Sequence, residues 1–280
     1  MNMQGSFVRN KNRQLVEQDS KCQKAIQGLH RIEEFLNEFG FLSFGRDFVL
    51  CRRQVISLQI ISTSCELTVG SIIHCCESAC LADAYSLLRK YRDDLFFYLY
   101  IVVFDTCKRQ NDKSPAVAQM ESNIERWTNN GLDDLHIGTI LQAIAQSSQA
   151  KDAVKRYNLK SYFDALGDRL NNYVHGNGVA YYNQNVNSFQ EKPLHEQLQG
   201  FLKDMRFITI TFLFLLTLCS PYSVMSTDYG DCLDCNTSPP DGSPYWVAPF
   251  IASFFKSNFE LIDGSCMKYL QDNTLMEFEP

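Results

Sequence analysis

The feature that most constrains the fold is an uncharged run over residues 207–219, FITITFLFLLTLC. A helix that crosses a membrane needs about 20 predominantly apolar residues, whereas this run has only 13. A second apolar run, LFFYLYIVVF at residues 95–104, is shorter still. Arg206 and Pro221 bound the first run closely. We therefore interpret both runs as helices buried in a protein core, and association with a membrane is the less favoured alternative.

The rest of the chain has the apolar periodicity of α-helices, with steps of three and four residues. This pattern predicts an all-α fold, a helical bundle with additional helices at both ends. The predicted helices cover residues 23–39, 55–104 (one bent helix or two buried ones), 115–128, a short helix within 132–146, 151–174 and 194–218, and two segments of the tail, 247–262 and 266–273.

Glycine, proline and serine mark the predicted ends of these helices. Gly40 and Gly176 are predicted stops, and Ser114 followed by Pro115 is a predicted start. We expect residues 179–189 to form a loop or at most a short strand pair, and residues 226–246 to form a structured loop. The predicted division is an N-terminal helical extension (1–54), the bundle (55–220) and C-terminal loop and helices (221–280).

Composition places the protein among acidic chains with reduced thiols. The formal net charge is −6, so there is no global basic field, and any contact with nucleic acid must be local. The 11 cysteines are an odd number, and several of them lie in apolar, helix-like stretches rather than in spaced loops. The first residues contain no apolar run of the signal-peptide type. These features favour the cytoplasm.

The cysteine motifs are weak candidates for metal or redox sites. Cys232 and Cys235 have the CxxC spacing, but no second CxxC or HxxxH pair follows to complete a zinc site. The stretch HCCESAC, residues 74–80, lies in an apolar helix, where cysteine packs as a small apolar residue. No phosphate-binding loop, dinucleotide fingerprint, HExxH or GxSxG motif is present. We therefore expect neither a metal nor a cofactor.

A charged patch interrupts the second apolar segment. Arg89 precedes Asp93 by four residues, and Lys90 precedes Asp94 by four, so both pairs can form on one helix. The simpler interpretation is charge balance on a solvated face. The alternative is that this patch lines a groove that faces the stretch RLNNYVHGNG.

That stretch, residues 169–178, contains the strongest candidate site. Histidine exchanges protons near neutral pH, and arginine can bind a phosphate through two parallel N–H bonds. The pair suits metal-free RNA cleavage, in which a ribose 2′-OH attacks the adjacent phosphate. Arg169 and His175 are six residues apart, about 240° around a helix. They can therefore converge only if the helix unwinds near Tyr173 or if a second chain contributes. Alternatively, His175 is simply stabilised by the helix dipole.

The residues ACLADAYSLLRKYRDDLFFYLYI and RLNNYVHGNG resemble those of the HEPN superfamily, over roughly residues 55 to 220. The R-x4-6-H motif at the end of a late helix is typical of its metal-independent ribonucleases, which act in toxin and anti-phage defence systems. The resemblance implies that Arg169 positions the phosphate, that His175 performs acid–base chemistry, and that Asn172 holds the histidine or the sugar. We assign Arg92 and Asn171 to substrate binding.

The resemblance also implies a dimer that acts on RNA, with a possible partner protein from a defence or toxin–antitoxin operon. Two features depart from the family pattern: Leu170 follows the arginine where many members have a polar residue, and Asn177 replaces the tyrosine that some toxins offer for modification. Some members lack catalysis, so the second hypothesis is a sensing or scaffolding module of a defence complex. A membrane-acting effector that uses residues 207–219 is the third.

Overall fold

The computed structural model describes residues 5–42, 48–131, 135–145, 148–186, 192–238, 247–274 and 276–278. In this part of the chain the all-α prediction is confirmed, with one two-stranded antiparallel sheet added. The helices are α1 (Gly5–Gln18), α2 (Ser20–Leu42), α3 (Leu58–Glu77), α4 (Leu81–Arg109), α5 (Pro115–Thr128), α6 (Ile137–Ile144), α7 (Ser148–Arg156), α8 (Leu159–His175), α9 (Val179–Asn183), α10 (Leu194–Cys219), α11 (Thr227–Asp234), α12 (Pro249–Asn258) and α13 (Cys266–Thr274). The strands are β1 (Phe48–Cys51) and β2 (Gln54–Ser57).

Helix α10 lies at the centre of the fold. Every residue from 207 to 218 is buried, and helices α2, α4, α7, α12 and α13 pack around it. A helix that is apolar on all sides must be covered on all sides, so the interpretation of this run as a buried helix is confirmed. Across the described ranges, no helix combines the length and the apolar character needed to span a bilayer.

The apolar segment 55–104 forms two helices, α3 and α4, rather than one bent helix. Gly70 lies inside α3, and the break falls at residues 78–80. There the amide of Cys80 donates to the carbonyl of Cys75 at 2.8 Å, and the amide of Ala79 donates to Cys76 at 3.0 Å. This is the Schellman pattern that ends many helices, with Ala79 in the left-handed region at φ 49°. The chain therefore reverses without a glycine.

Two predicted helices were bounded incorrectly. The segment 151–174 contains the end of α7 and most of α8, which are separated where Asn158 adopts φ 50°. A helix cannot continue through a left-handed residue, although asparagine tolerates that conformation better than most residues do. Gly40 lies within α2, which continues to Leu42, so the predicted stop there was wrong. By contrast, α5 begins as predicted, because Ser114 Oγ accepts from the amide of Val117 at 3.4 Å.

Three short elements were missed. The hairpin β1–β2 occupies the start of the segment predicted to be helical from residue 55, and it buries Val49 and Ile56 while Leu50 and Val55 face outward. Helices α9 and α11 form where loops were predicted. The burial of Tyr229 within α11 indicates that packing outweighs its turn-rich composition. Residues 187–189 and 239–246 of the predicted loops lie outside the described residues.

The predicted boundary at residues 54 and 55 falls inside the hairpin. Leu50 pairs with Val55, and Cys51 pairs with Gln54, so the strand ladder joins the two predicted segments. Helix α2, from the predicted N-terminal extension, packs against α3 and α10. One hydrophobic core includes residues from all three predicted segments. The division into 1–54, 55–220 and 221–280 stays a prediction about the chain's organisation.

We expect the substitution Leu213→Asp to unfold the protein. Leu213 is fully buried in α10, and an unpaired carboxylate there adds a desolvation cost to the loss of packing, together more than about 4 kcal/mol. The matched control is Leu67→Asp on α3, because the Leu67 side chain is 68% exposed. Urea denaturation followed by circular dichroism measures both variants, and equal destabilisation of the two would contradict the central position of α10.

Candidate functional site at the end of helix α8

Helix α8 ends at Gly176, as predicted. Gly176 adopts φ 59°, in the left-handed region. Its amide donates to the carbonyl of Tyr173 at 3.3 Å, and the amide of Asn177 donates to the carbonyl of Asn172 at 3.0 Å. A Cβ atom on Gly176 would also collide with the Tyr182 hydroxyl. Both the backbone conformation and the close approach of Tyr182 therefore require glycine here.

His175 is the last residue of α8, and its imidazole is exposed to solvent. In the described part of the chain it takes part in no side-chain hydrogen bond or ion pair. The side-chain amide oxygen of Asn172 accepts a hydrogen bond from Asn177 Nδ2 at 3.0 Å. Asn172 thus stabilises the end of the helix in this conformation. Its assignment to holding the histidine or the sugar stays a prediction.

Arg169 is anchored to two neighbouring helices. Its Nη2 donates to Oδ2 of Asp204 on α10 at 2.5 Å. Its guanidinium carbon lies 5.9 Å from the centroid of the Tyr85 ring on α4, within the range of a cation–π contact. Tyr85 in turn stacks on Tyr173 of α8, with ring centroids 4.4 Å apart. The Arg169 side chain is nevertheless 46% exposed, so part of the guanidinium remains accessible.

Burial sets the electrostatics of this ion pair. It raises the pKa of the Asp204 carboxyl above its usual value, although the hydrogen bond and charge of Arg169 act in the opposite direction. Burial alone would lower the pKa of Arg169, but the hydrogen bond to Asp204 and its charge outweigh that effect and raise it. The desolvation cost therefore falls on Asp204, which is 7% exposed. Arg169 stays cationic.

Arg169 and His175 do not converge within one chain. Helix α8 is continuous through both residues, so the first of the two alternatives, unwinding near Tyr173, does not occur. Six residues of an unbroken α-helix separate two side chains by about 240° around the axis and about 9 Å along it. Arg169 faces α10 and α4, whereas His175 faces solvent. A site that uses both residue types requires a second chain.

Arg92 is placed beneath α8 and is buried, with only 4% of its surface exposed. Its Nε and Nη2 donate to Asp93 Oδ1 at 2.8 and 2.7 Å. Its Nη1 has no partner among the described residues, and a Cβ on Gly167 would lie 3.3 Å from that atom. Arg92 would need a local opening to reach a substrate. Asn171 lies half-buried on α8, and the substrate-binding role of both residues stays a prediction.

The charged patch on α4 is mostly directed towards α3. Lys90 forms an ion pair with Asp94 and donates to Ser64 at 3.1 Å and to Thr68 at 3.3 Å. Arg89 Nε lies 3.6 Å from an Asp93 carboxylate oxygen. These contacts agree with charge balance within α4 and between α4 and α3. The Lys90–Asp94 pair does not line a groove that faces Arg169 and His175.

The cysteines behave as packing residues at most positions. Cys65 and Cys76 are fully buried, and burial raises the pKa of Cys75 to about 11, so its reactive thiolate is scarce near neutral pH. Cys232 and Cys235 lie in the last turn and at the C-cap of α11. Within the described ranges no three His, Cys, Asp or Glu side chains form a metal-binding group.

Sequence analysis missed Asp204 and Tyr85, the two residues that hold Arg169. A signal for Asp204 was present. It lies between Phe201 and Ile208 at helical spacing, so it is an acidic residue on an otherwise apolar face. A buried carboxylate needs a partner, and Arg169 is the cation that it meets. No comparable signal marks Tyr85, because a tyrosine on an apolar helix face is ordinary core composition.

Comparison of the chain with protein-family models, with curated proteins and with solved structures finds no match. The functional argument therefore depends on the residues and contacts described above.

The raised pKa of Asp204 predicts how stability depends on pH. The folded state binds this proton more tightly than the unfolded state, whose carboxyl pKa is about 3.9. The wild type should therefore gain stability relative to Asp204→Asn as the pH falls from 7 towards 4. Urea denaturation at several pH values measures the difference. Asp164→Asn, at an exposed position of α8, is the control and should show no such gain. A relative loss for the wild type at low pH would contradict the burial argument.

Proposed function

We propose that the chain is a HEPN-type RNA endonuclease of a bacterial toxin or anti-phage defence system, working in the cytoplasm without a metal ion or cofactor. The observation that carries this proposal is the exposed imidazole of His175 at the end of α8, on the same helix as the accessible guanidinium of Arg169. Histidine supplies acid–base chemistry, and arginine supplies a fixed positive charge.

In the proposed reaction His175 removes the proton from a ribose 2′-OH, and the 2′-oxygen attacks the adjacent phosphorus. The bond from phosphorus to the 5′-oxygen breaks, and the imidazolium formed on His175 donates its proton to this leaving oxygen. Arg169 stabilises the charge that grows on the phosphate. The products are a 2′,3′-cyclic phosphate and a 5′-hydroxyl. DNA is not cleaved, since it lacks the attacking hydroxyl.

The site is proposed to be composite, with Arg169 from one chain and His175 from another. The outward position of His175 relative to Arg169 on an unbroken helix supports this arrangement. Three apolar side chains near the end of α8 support a contact between chains there: Val174, Val179 and Tyr182 are 44%, 74% and 66% exposed. Apolar surface of this kind is typical of protein interfaces. A symmetric dimer would form two equivalent sites.

The second candidate function is a non-catalytic sensing or scaffolding module in a defence complex, together with a partner protein. The Arg169–Asp204 ion pair favours it, because this contact gives Arg169 a structural reason to be present. The two functions differ in what they require of His175. Catalysis needs its imidazole, whereas a scaffold needs at most its favourable interaction with the helix dipole.

We expect His175→Ala to abolish RNA cleavage with little change in melting temperature, since an exposed residue at a helix end contributes about 0.3–1 kcal/mol. Arg169→Lys should reduce cleavage nearly as much, because an ammonium cannot reproduce the planar two-bond contact with phosphate. The assay contains EDTA and identifies 2′,3′-cyclic phosphate ends.

Two variants serve as matched controls. His74→Ala changes an exposed histidine in the last turn of α3, and Arg109→Lys changes an exposed arginine at the end of α4. Both should cleave RNA at the wild-type rate. Cleavage that needs added Mg²⁺ would reject the metal-free mechanism. Full activity of His175→Ala in cells would reject catalysis by His175 and favour the scaffold.

Mixing two inactive variants tests the composite site. Chains that carry Arg169→Ala and chains that carry His175→Ala are denatured together and refolded. In a symmetric dimer about half of the molecules are mixed, and each mixed molecule has one intact site, so about a quarter of the wild-type rate should return. The two variants refolded separately and then assayed together at once are the control. If cleavage occurs in the wild type but no activity returns on mixing, a site between chains is ruled out.

A further inference from the structure

A second group of charged residues lies on the other side of α10. Arg31 of α2 and Arg206 of α10 line a cavity of about 430 Å³ between α2, α10 and α12. Ser253 and Ser257 of α12 contribute hydroxyl groups to the same wall. Asp204 and Arg206 are two residues apart on α10, about 200° around the helix, so this cavity is separate from the site at the end of α8.

Gly28 creates the space that Arg206 occupies. A Cβ on Gly28 would lie 3.1 Å from Nη2 of Arg206 and 2.5 Å from Cδ2 of Leu202. A larger residue on this face of α2 would therefore displace the guanidinium or the leucine. Arg31 follows Gly28 by one helical turn, so both guanidinium groups reach the same cavity. The close approach of α2 and α10 thus places two cations together.

Neither arginine has an acidic partner among the described residues. Arg206 is half-buried, and burial, followed by the charge of Arg31, lowers its pKa. A desolvated cation beside a like charge is destabilised in the folded protein, although guanidinium tolerates this better than ammonium does. An anion bound between the two groups would remove both costs and gain charge-assisted hydrogen bonds.

The other residues that line the cavity indicate which organic groups are attached to the bound anion. Phe250 and Phe254 of α12 provide apolar surface, and Glu34 and Glu38 of α2 provide carboxylates that form no ion pair with either arginine. Carboxylates only accept hydrogen bonds from a ligand, so they favour an organic part with hydroxyl or amino groups. Two arginines, by contrast, match the oxygen atoms of a phosphate group.

We propose that Arg31 and Arg206 form a binding site for a small phosphorylated molecule whose organic part carries hydrogen-bond donors. This inference does not depend on RNA cleavage at α8. The cavity has the size of a small-molecule site, and residues of α2, α10 and α12 line it. The phosphate binds the two guanidinium groups, the Ser253 hydroxyl donates a further hydrogen bond, and the organic part contacts the phenylalanines and the carboxylates.

The test uses the purified full chain with two probes, sodium pyrophosphate and ribose 5-phosphate, followed by isothermal titration and by thermal unfolding. Both probes should bind saturably and should raise the melting temperature beyond the effect of sodium chloride at equal ionic strength. Arg31→Gln and Arg206→Gln should each weaken binding at least tenfold. Arg53→Gln, at an exposed arginine of the hairpin turn, is the control and should bind like the wild type.

Stability without ligand gives a second readout. Arg206→Gln removes an unpaired half-buried charge, so its melting temperature in phosphate-free buffer should equal or exceed that of the wild type. Arg31 is exposed on α2, so we expect Arg31→Gln to fold. The binding test can then be done with Arg31→Gln even if Arg206→Gln does not fold. The inference is overturned if neither probe stabilises the wild type beyond the salt control, or if the two glutamine variants bind as tightly as the Arg53→Gln control.

Discussion

The burial of α10 is the constraint on which the rest of the structure depends. From residue 207 to residue 218 every side chain of this helix is buried, so neighbouring helices must cover all of its faces. Covering a helix on every side takes several neighbours, and the chain supplies them from both of its ends, with α2 before it in sequence and α12 and α13 after it. Helices α2, α12 and α13 thus take part in covering α10.

Charged residues on such a helix are placed where neighbours can accommodate them. Asp204 and Arg206 lie just before the fully buried stretch, on opposite faces of α10. Asp204 meets Arg169 and forms an ion pair. Arg206 meets a second arginine, Arg31, at the wall of a cavity. The same helix therefore presents one charge with an ion-pair partner and one half-buried cation without an acidic partner among the described residues, and such a cation is a reason to look for a ligand.

Hydrophobic periodicity in the sequence predicted the helices that bury either one face or all of their faces. Helices α5 and α10 lie within one residue of their predicted bounds and α2 within three residues at each end, because each has a long apolar stripe. Periodicity could not predict the left-handed residues that divide helices, such as Ala79 and Asn158. Their conformations depend on what packs around the turn. The hairpin was missed because four-residue strands give too short an alternation to distinguish.

The candidate site also has some features that the sequence predicted and others that it could not predict. Residue chemistry and the glycine stop located His175 and Arg169 at a helix end, but the direction of each side chain depends on α4 and α10. Arginine has five N–H donors, and Asp204 accepts from Nη2. The ion pair can therefore hold the guanidinium in one orientation while other donors remain directed towards solvent, where 46% of the side chain is exposed. On this argument the Arg169–Asp204 ion pair does not exclude the proposed phosphate contact, in which Asp204 would position the guanidinium rather than compete for it.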